Sequence, residues 1–310
     1  MKKILLILAA IAAVFFAWLY IFIPAKITVH QSLVIEANRS ALYRKLGDSS
    51  TWKQWWPGTN DESGTFYLNN LKFRPGPVRT LSVPLMIEDK QFETTAEMTL
   101  MPLPPDSTII YMESAVVLPN NPFKRIQTYF GSAKLEDSFS AILQALNKTY
   151  SKITGLYGYD IRKELVVDSI LAFTSEEVKG YPTIDKVYSL VDQLKAYIKY
   201  HSATETGFPM QNIYTADSIN YVVKVAIPVN KRLPDSDKIR YKWMLGGGNI
   251  LVTEVKGGQD EINKAYKQIV NYIADYGRTA PAIPFESLVT DRRTERDSSK
   301  WITRIYYPVM

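Results

Sequence analysis

The chain has 310 residues, a formal net charge of +6, 20 tyrosines, 6 tryptophans and no cysteine. A hydrophobic fraction of 46% belongs to a chain that folds rather than to a disordered one. The missing cysteine excludes disulfides, thiolate catalysis and cysteine-ligated zinc. His30 and His201, the only histidines, are too few for a histidine-rich metal site, so no metal and no cofactor is expected. The positive charge is spread along the chain and gives no sign of a nucleic-acid partner.

Residues Ile4 to Ile23 run without a charge. At about 1.5 Å per residue a helix of that length spans ~30 Å, the thickness of a hydrocarbon core. Trp18 and Tyr20 stand where interfacial aromatics gather, and Pro24 and Lys26 mark the exit. Residues 1–25 are therefore expected to form a single-pass transmembrane anchor. The alternative is a cleaved signal sequence, although the apolar run is long for one and no small-x-small site follows it. Lys2 and Lys3 favour a cytoplasmic N-terminus with the remainder outside the cytoplasm; Lys26, Arg39, Arg44 and Lys45 pull the other way.

Residues 26–152 read as a first soluble domain. The segment from Lys26 alternates as a strand, with Ile27, Val29, Leu33 and Ile35 on one face. Asn38 or Ser40 can cap a short helix, and a tryptophan-rich turn (Trp52, Trp55, Trp56, Pro57) follows. Several short strands come next, with turn residues between them. A helix from about Pro122 to Lys152 closes the region, with Phe123, Ile126, Phe130, Leu135, Phe139, Ile142 and Leu146 as its apolar series. The opening strand, the Asp48…Trp52…Trp55-Trp56-Pro57 segment and the Asn121-Pro122-Phe123-Lys124-Arg125-Ile126 helix start resemble the START-related SRPBCC superfamily. That resemblance implies a helix-grip fold, an antiparallel sheet wrapped on one long helix, often with an apolar cavity between them.

Residues 157–310 contain an internal duplication. GFPMQNIYTAD (207–217) matches AIPFESLVTDR (282–292), pairing Pro209 with Pro284, Gln211 with Glu286 and Thr215 with Thr290. The following strands match as well, with Pro228 opposite Pro308 and Lys224 opposite Arg304. Each copy is preceded by an amphipathic helix and an apolar strand, giving two strand–helix–strand–strand units. Thr183 caps the first helix and Gly277 ends the second. The Pro-x-Glu…Thr-Asp…Lys-Trp-x-Thr-x-Ile-Tyr-Tyr-Pro-Val succession resembles GyrI-like effector-binding domains, which accompany DNA-binding domains in multidrug-sensing activators and also occur alone. The fold class expected for the whole chain is α+β: anchor, helix-grip sheet, then duplicated β-α-β-β domain.

The GyrI-like resemblance makes Glu286 a ligand-binding candidate, an acidic side chain facing an aromatic-lined cleft that attracts cations. Tyr188 and Tyr266 hold matching places near the starts of the two helices and are the best aromatic candidates. Tyr214, Trp243, Trp301, Tyr306 and Tyr307 are further ones. Arg304 stands where many members of that family carry an acid, and shares a strand face with Tyr306. If Gln211, Lys224, Glu286 and Arg304 all faced the cleft, a carboxylate- or phosphate-bearing ligand would suit it. A structural Glu286–Arg304 cross-strand pair is the competing reading. Asp291-Arg292-Arg293 and Glu295-Arg296-Asp297 read as a solvated loop, and Gly246-Gly247-Gly248 as a turn rather than a phosphate loop. No nucleophile with a base, no Gly-x-Ser-x-Gly and no His-Glu-x-x-His occurs. The expected function is therefore small-molecule binding, as a sensor or carrier of an amphipathic or apolar ligand. A hydrolase or cyclase using one of the cavities and a non-catalytic interaction protein stay open beside it.

Overall fold

The computed structural model describes residue 11 and residues 14–80, 82–167, 169–244 and 246–310. Much of the apolar run 4–23 lies outside these. Among the described residues no helix is long and apolar enough to cross a membrane. The chain divides into two compact units, Met1–Leu156 and Tyr157–Met310. Both combine helices with an antiparallel sheet.

In the first unit, strand β1 (Lys26–Ile35) is followed by helix α1 (Arg39–Gly47), capped by the Asn38 side chain. The strands β2 (Thr59–Asn60), β3 (Phe66–Leu68), β4 (Leu71–Pro75), β5 (Ser82–Glu88), β6 (Glu93–Leu103) and β7 (Ser107–Val117) then form a meander. With β1 added beside β7, the sheet order is β1-β7-β6-β5-β4-β3-β2. β3 and β4 meet through Asn69 and Asn70, both at positive φ (50° and 62°), the conformation a two-residue hairpin turn needs and asparagine tolerates. Helix α2 (Pro122–Tyr150) packs on this sheet, starting at an Asn121 cap that accepts from Phe123 N and Lys124 N at 3.1 Å.

The inward stripe of α2 differs from the sequence reading. Arg125, Thr128, Ser132, Leu135, Phe139, Ile142 and Leu146 are buried, an unbroken alternation of three- and four-residue steps along one face. Phe123 and Phe130 lie two residues off that register, about 200° around the helix, and are exposed. Arg125 is buried because its guanidinium donates to the Ile23 carbonyl (Nη2–O 2.7 Å) and stacks over Tyr20. Trp52, Trp55 and Trp56 enter the core and pack with Phe66 and Phe73 at centroid distances of 5.1 to 6.0 Å, Trp52 stacked on Trp56, Trp56 edge-on to Phe73 and the other pairs tilted. Trp52 is fully buried and spends its indole N–H on Leu46 O at 2.9 Å.

Helix α3 (Ile153–Tyr157) leads into the second unit. There the elements are β8 (Arg162–Leu165), β9 (Ser169–Lys179), α4 (Ile184–Tyr200), β10 (Met210–Thr215), β11 (Asn220–Val229), β12 (Ile239–Met244), β13 (Asn249–Lys256), α5 (Gln259–Asp275), β14 (Phe285–Leu288) and β15 (Ile302–Val309). The sheet order, β12-β9-β11-β10-β14-β15-β13-β8, is symmetric about the β10–β14 contact. Each repeat gives three strands in mirrored order. The strand ahead of each repeat, β8 or β12, adds to the edge of the other one. In a flat sheet β12 and β13 would stand six strand spacings apart, ~29 Å. The chain from Met244 to Asn249 reaches only ~18 Å. The sheet is therefore strongly curled. The two crossing links run side by side, with Val166 N to Gly248 O at 2.8 Å and Gly247 N to Val166 O at 2.9 Å. Gly247 turns at φ +83°, as the glycine triplet suggested.

Both helices lie on one face of this sheet. Val187, Leu190, Val191, Leu194 and Ile198 of α4 pack on Val223, Val225 and Ile227 of β11. Ile262, Ala265 and Ile269 of α5 are buried in the same way. The helices end alike: Ser202 and Gly277 take positive φ, and the next residues, Ala203 and Arg278, bond back to Ile198 O and Ile273 O.

Candidate functional site

Register decides which predicted residues meet. Gln211 of β10 pairs with Glu286 of β14 across the pseudo-twofold axis. Glu286 also sits opposite Ile305, a fully buried residue of β15, so it points to the helix side. Gln211 Nε2 donates to Glu286 Oε2 at 2.8 Å. The duplicated positions thus form a direct polar pair at the axis, with Gln211 buried and the Glu286 side chain 12% exposed.

The cation beside Glu286 is Arg292, at 3.8 Å between Nη2 and Oε2. The sequence reading placed Arg292 in a solvated loop, and the structure corrects this. Arg292 folds inward, donates to Thr303 Oγ1 at 3.0 Å and lies over the Trp301 ring, 5.0 Å from its centroid. Tyr188, from the start of α4, holds that fold. Its hydroxyl accepts from Arg292 N (2.9 Å) and donates to Thr290 O (3.2 Å). Arg293, next in sequence, turns outward to Asp192 and Asp291. Alternation within the loop separates the two arginines, and charge density alone carried no signal of it.

Tyr266 of α5 completes the predicted group, meeting Tyr307 edge-on at 6.5 Å. Tyr181, which the sequence reading passed over, stands close enough to feel the Glu286 charge. Burial pushes the Glu286 carboxyl above the usual range, opposed by the Gln211 hydrogen bond and the Arg292 charge. The Tyr266 hydroxyl is driven upward, first by burial and then by the charge of Glu286. Tyr181 is raised by the same two causes in the same order. The result is a buried carboxyl with one close hydrogen bond and a loose ion pair, flanked by tyrosines, between two helices at a symmetry axis. Such a group accepts hydrogen bonds and stabilises positive charge.

Arg304, Tyr306 and Lys224 are elsewhere. Arg304 sits opposite Ser287 and Glu254, on the face away from the helices, and its Nε donates to Glu254 at 3.0 Å. The expected Glu286–Arg304 pair does not form, because neighbouring positions on a strand point to opposite faces. Tyr306 stacks on Phe285 at 4.9 Å on that second face. Lys224 extends there over the Tyr214 ring at 4.6 Å. Among the described residues no group of three or more His, Asp and Glu side chains could hold a metal ion.

No family model matches the chain, and no curated protein matches it. Solved structures do. The C-terminal domain of EcmrR is 18% identical, with 49% of this chain and 98% of that one covered at a TM-score of 0.43. A hydrolase from Listeria innocua is 11% identical, covering 48% and 91% at 0.37. The Aha1 dimer protein from Colwellia psychrerythraea is 15% identical, covering 40% and 96% at 0.31. Likenesses at these scores carry neither fold nor function over to this chain.

Proposed function

We propose that residues 157–310 form a small-molecule-binding domain whose ligand is an amphipathic cation held at Glu286. The observation that carries this reading is a carboxyl at the pseudo-twofold axis, 12% exposed, raised by burial and only loosely countered by Arg292 at 3.8 Å. A cation entering between α4 and α5 would replace Arg292 beside the carboxylate. It would lie against the faces of Tyr181, Tyr266 and Tyr307, where cation–π attraction adds to the charge. The GyrI-like resemblance of the Pro-x-Glu and Lys-Trp-x-Thr-x-Ile-Tyr-Tyr-Pro segments supports the same reading. Residues 26–152 act as a second, SRPBCC-type domain. The apolar run 4–23 anchors the chain with its N-terminus in the cytoplasm and both domains outside it. As a whole the protein is a membrane-held sensor or carrier.

Calorimetric titration with tetraphenylphosphonium, an aromatic lipophilic cation, tests the site. Glu286→Gln keeps the side-chain shape and the Gln211 contact but removes the charge, and is expected to weaken binding at least tenfold. Equal affinity for the wild type and the variant would sink the proposal.

A further inference from the structure

Lys224, which the register separates from Glu286, lines a cavity that neither Arg304 nor Tyr306 reaches. It lies on the sheet face opposite the helices and has a volume of about 350 Å³. Phe173, Met210, Ala226, Met244 and Phe285 form much of its wall, from five different strands. Lys224 and Lys242 also line it, on neighbouring strands to either side of β9. Alternation puts them on this face, since Lys224 pairs with Ser175 and Lys242 with Leu171, two positions on one side of β9 separated by Phe173.

Among the described residues neither lysine has a carboxylate partner. Lys224 rests over Tyr214, and Lys242 rests over Phe173 at 3.6 Å. Burial lowers the Lys242 ammonium, and the charges of Lys224 and Arg240 lower it further. Next to them Asn212 donates its amide to Pro284 O at 2.9 Å and leaves Oδ1 buried without a donor. A largely apolar, open cavity edged by two cations without a carboxylate partner, Lys224 half-buried and Lys242 exposed, has a definite chemical complement. Its occupant has an apolar body and one anionic head.

We propose that this cavity is a second ligand site, separate from Glu286, that takes an amphipathic monoanion with its apolar chain among Phe173, Met210 and Phe285 and its carboxylate between Lys224 and Lys242. At the ~30 Å³ that one water molecule takes in the liquid, the volume accommodates roughly a dozen non-hydrogen atoms. That is the size of a medium-chain fatty acid. Cavities of this volume are within the range that small ligands occupy. The two sites have opposite charge preference and lie on opposite faces of one sheet.

The test is calorimetric titration of the full chain with decanoate; decyltrimethylammonium, the charge-reversed control, is compared with it in the Glu286→Gln chain, where the cation site at Glu286 is removed. Decanoate is expected to bind at least tenfold more tightly than the cation. The double variant Lys224→Met/Lys242→Met, whose changes keep the aliphatic stems, is expected to lose at least tenfold in decanoate affinity. Glu286→Gln is expected to leave it within twofold, so failure of the Glu286 reading and failure of this one are told apart. Methyl NMR provides a readout that needs no variant: decanoate should shift the Met210 and Met244 signals before those of other methionines. The proposal is overturned by absence of decanoate binding, by an unchanged affinity in the double variant, by loss of binding in Glu286→Gln, or by silent Met210 and Met244 methyls.

Discussion

Arg292→Met is the substitution that most directly probes the buried charge at the axis. It removes the cation 3.8 Å from Glu286 and keeps a side chain long enough to cover Trp301. With side chains 8% and 12% exposed, an effective dielectric near 20 gives a pair attraction of about 4 kcal/mol. The observed loss will be smaller, because Glu286 can respond by taking up a proton. Its carboxyl is already raised by burial, and without Arg292 it rises further. For an acid whose folded pKa lies above the unfolded one, the folded state holds the extra proton, so stability is full below the unfolded pKa. It declines as pH rises towards the folded pKa. The penalty of Arg292→Met should therefore be small at pH 4 and grow to about 2–4 kcal/mol by pH 7.5. In the double variant with Glu286→Gln most of the pH dependence should vanish, giving a coupling of about 2 kcal/mol or more at pH 7.5. Urea unfolding of residues 157–310, followed by the fluorescence of Trp243 and Trp301, measures each corner of the cycle. A coupling below about 0.5 kcal/mol, flat with pH, would refute the claim that Arg292 compensates a buried carboxylate.

Other perturbations test separate parts of the molecule. Trp52→Ala removes a fully buried ring from the five-ring cluster and its hydrogen bond to Leu46 O; a loss of about 3–5 kcal/mol is expected in unfolding of the first unit. Tyr188→Phe removes the hydroxyl that joins Arg292 N and Thr290 O. It should cost about 1–3 kcal/mol and speed amide exchange at Arg292. Asp61 accepts from the Ser63 hydroxyl, Thr65 N, the Tyr67 hydroxyl and Ser63 N, and these bonds hold its carboxyl down at about 2. A depressed acid stabilises above its unfolded pKa and loses that effect as pH falls through the folded one. The Thr65 amide resonance should therefore hold steady down to about pH 3.5 and move towards its disordered position around pH 2, and in Asp61→Asn it should not titrate.

Local chemistry made much of this fold legible. The two strand–helix–strand–strand copies, the caps at Asn38 and Thr183, the stop at Gly277 and the tryptophan-rich turn all rest on periodicity or backbone preference within a few residues. The equivalence of Gln211 and Glu286, read from aligned sequence, became a 2.8 Å hydrogen bond across the symmetry axis. Where the reading failed, a non-local register decided the outcome. Arg304 and Glu286 are on adjacent strands, but a single-residue offset turns them to opposite faces, and Arg304 finds Glu254 instead. Arg292 is drawn inside by a buried carboxylate, a threonine and an indole contributed by two other strands and the turn before β15. On α2 the predicted and observed stripes coincide from Leu135 onward, and before it contact with the sheet selected the polar face of Arg125, Thr128 and Ser132 over the apolar one of Phe123, Ile126 and Phe130. Sequence determines what each segment can form, because backbone preferences and periodicity act over neighbouring residues. Which side chains share a site was settled only by tertiary structure, because burial and strand pairing join groups that lie far apart along the chain.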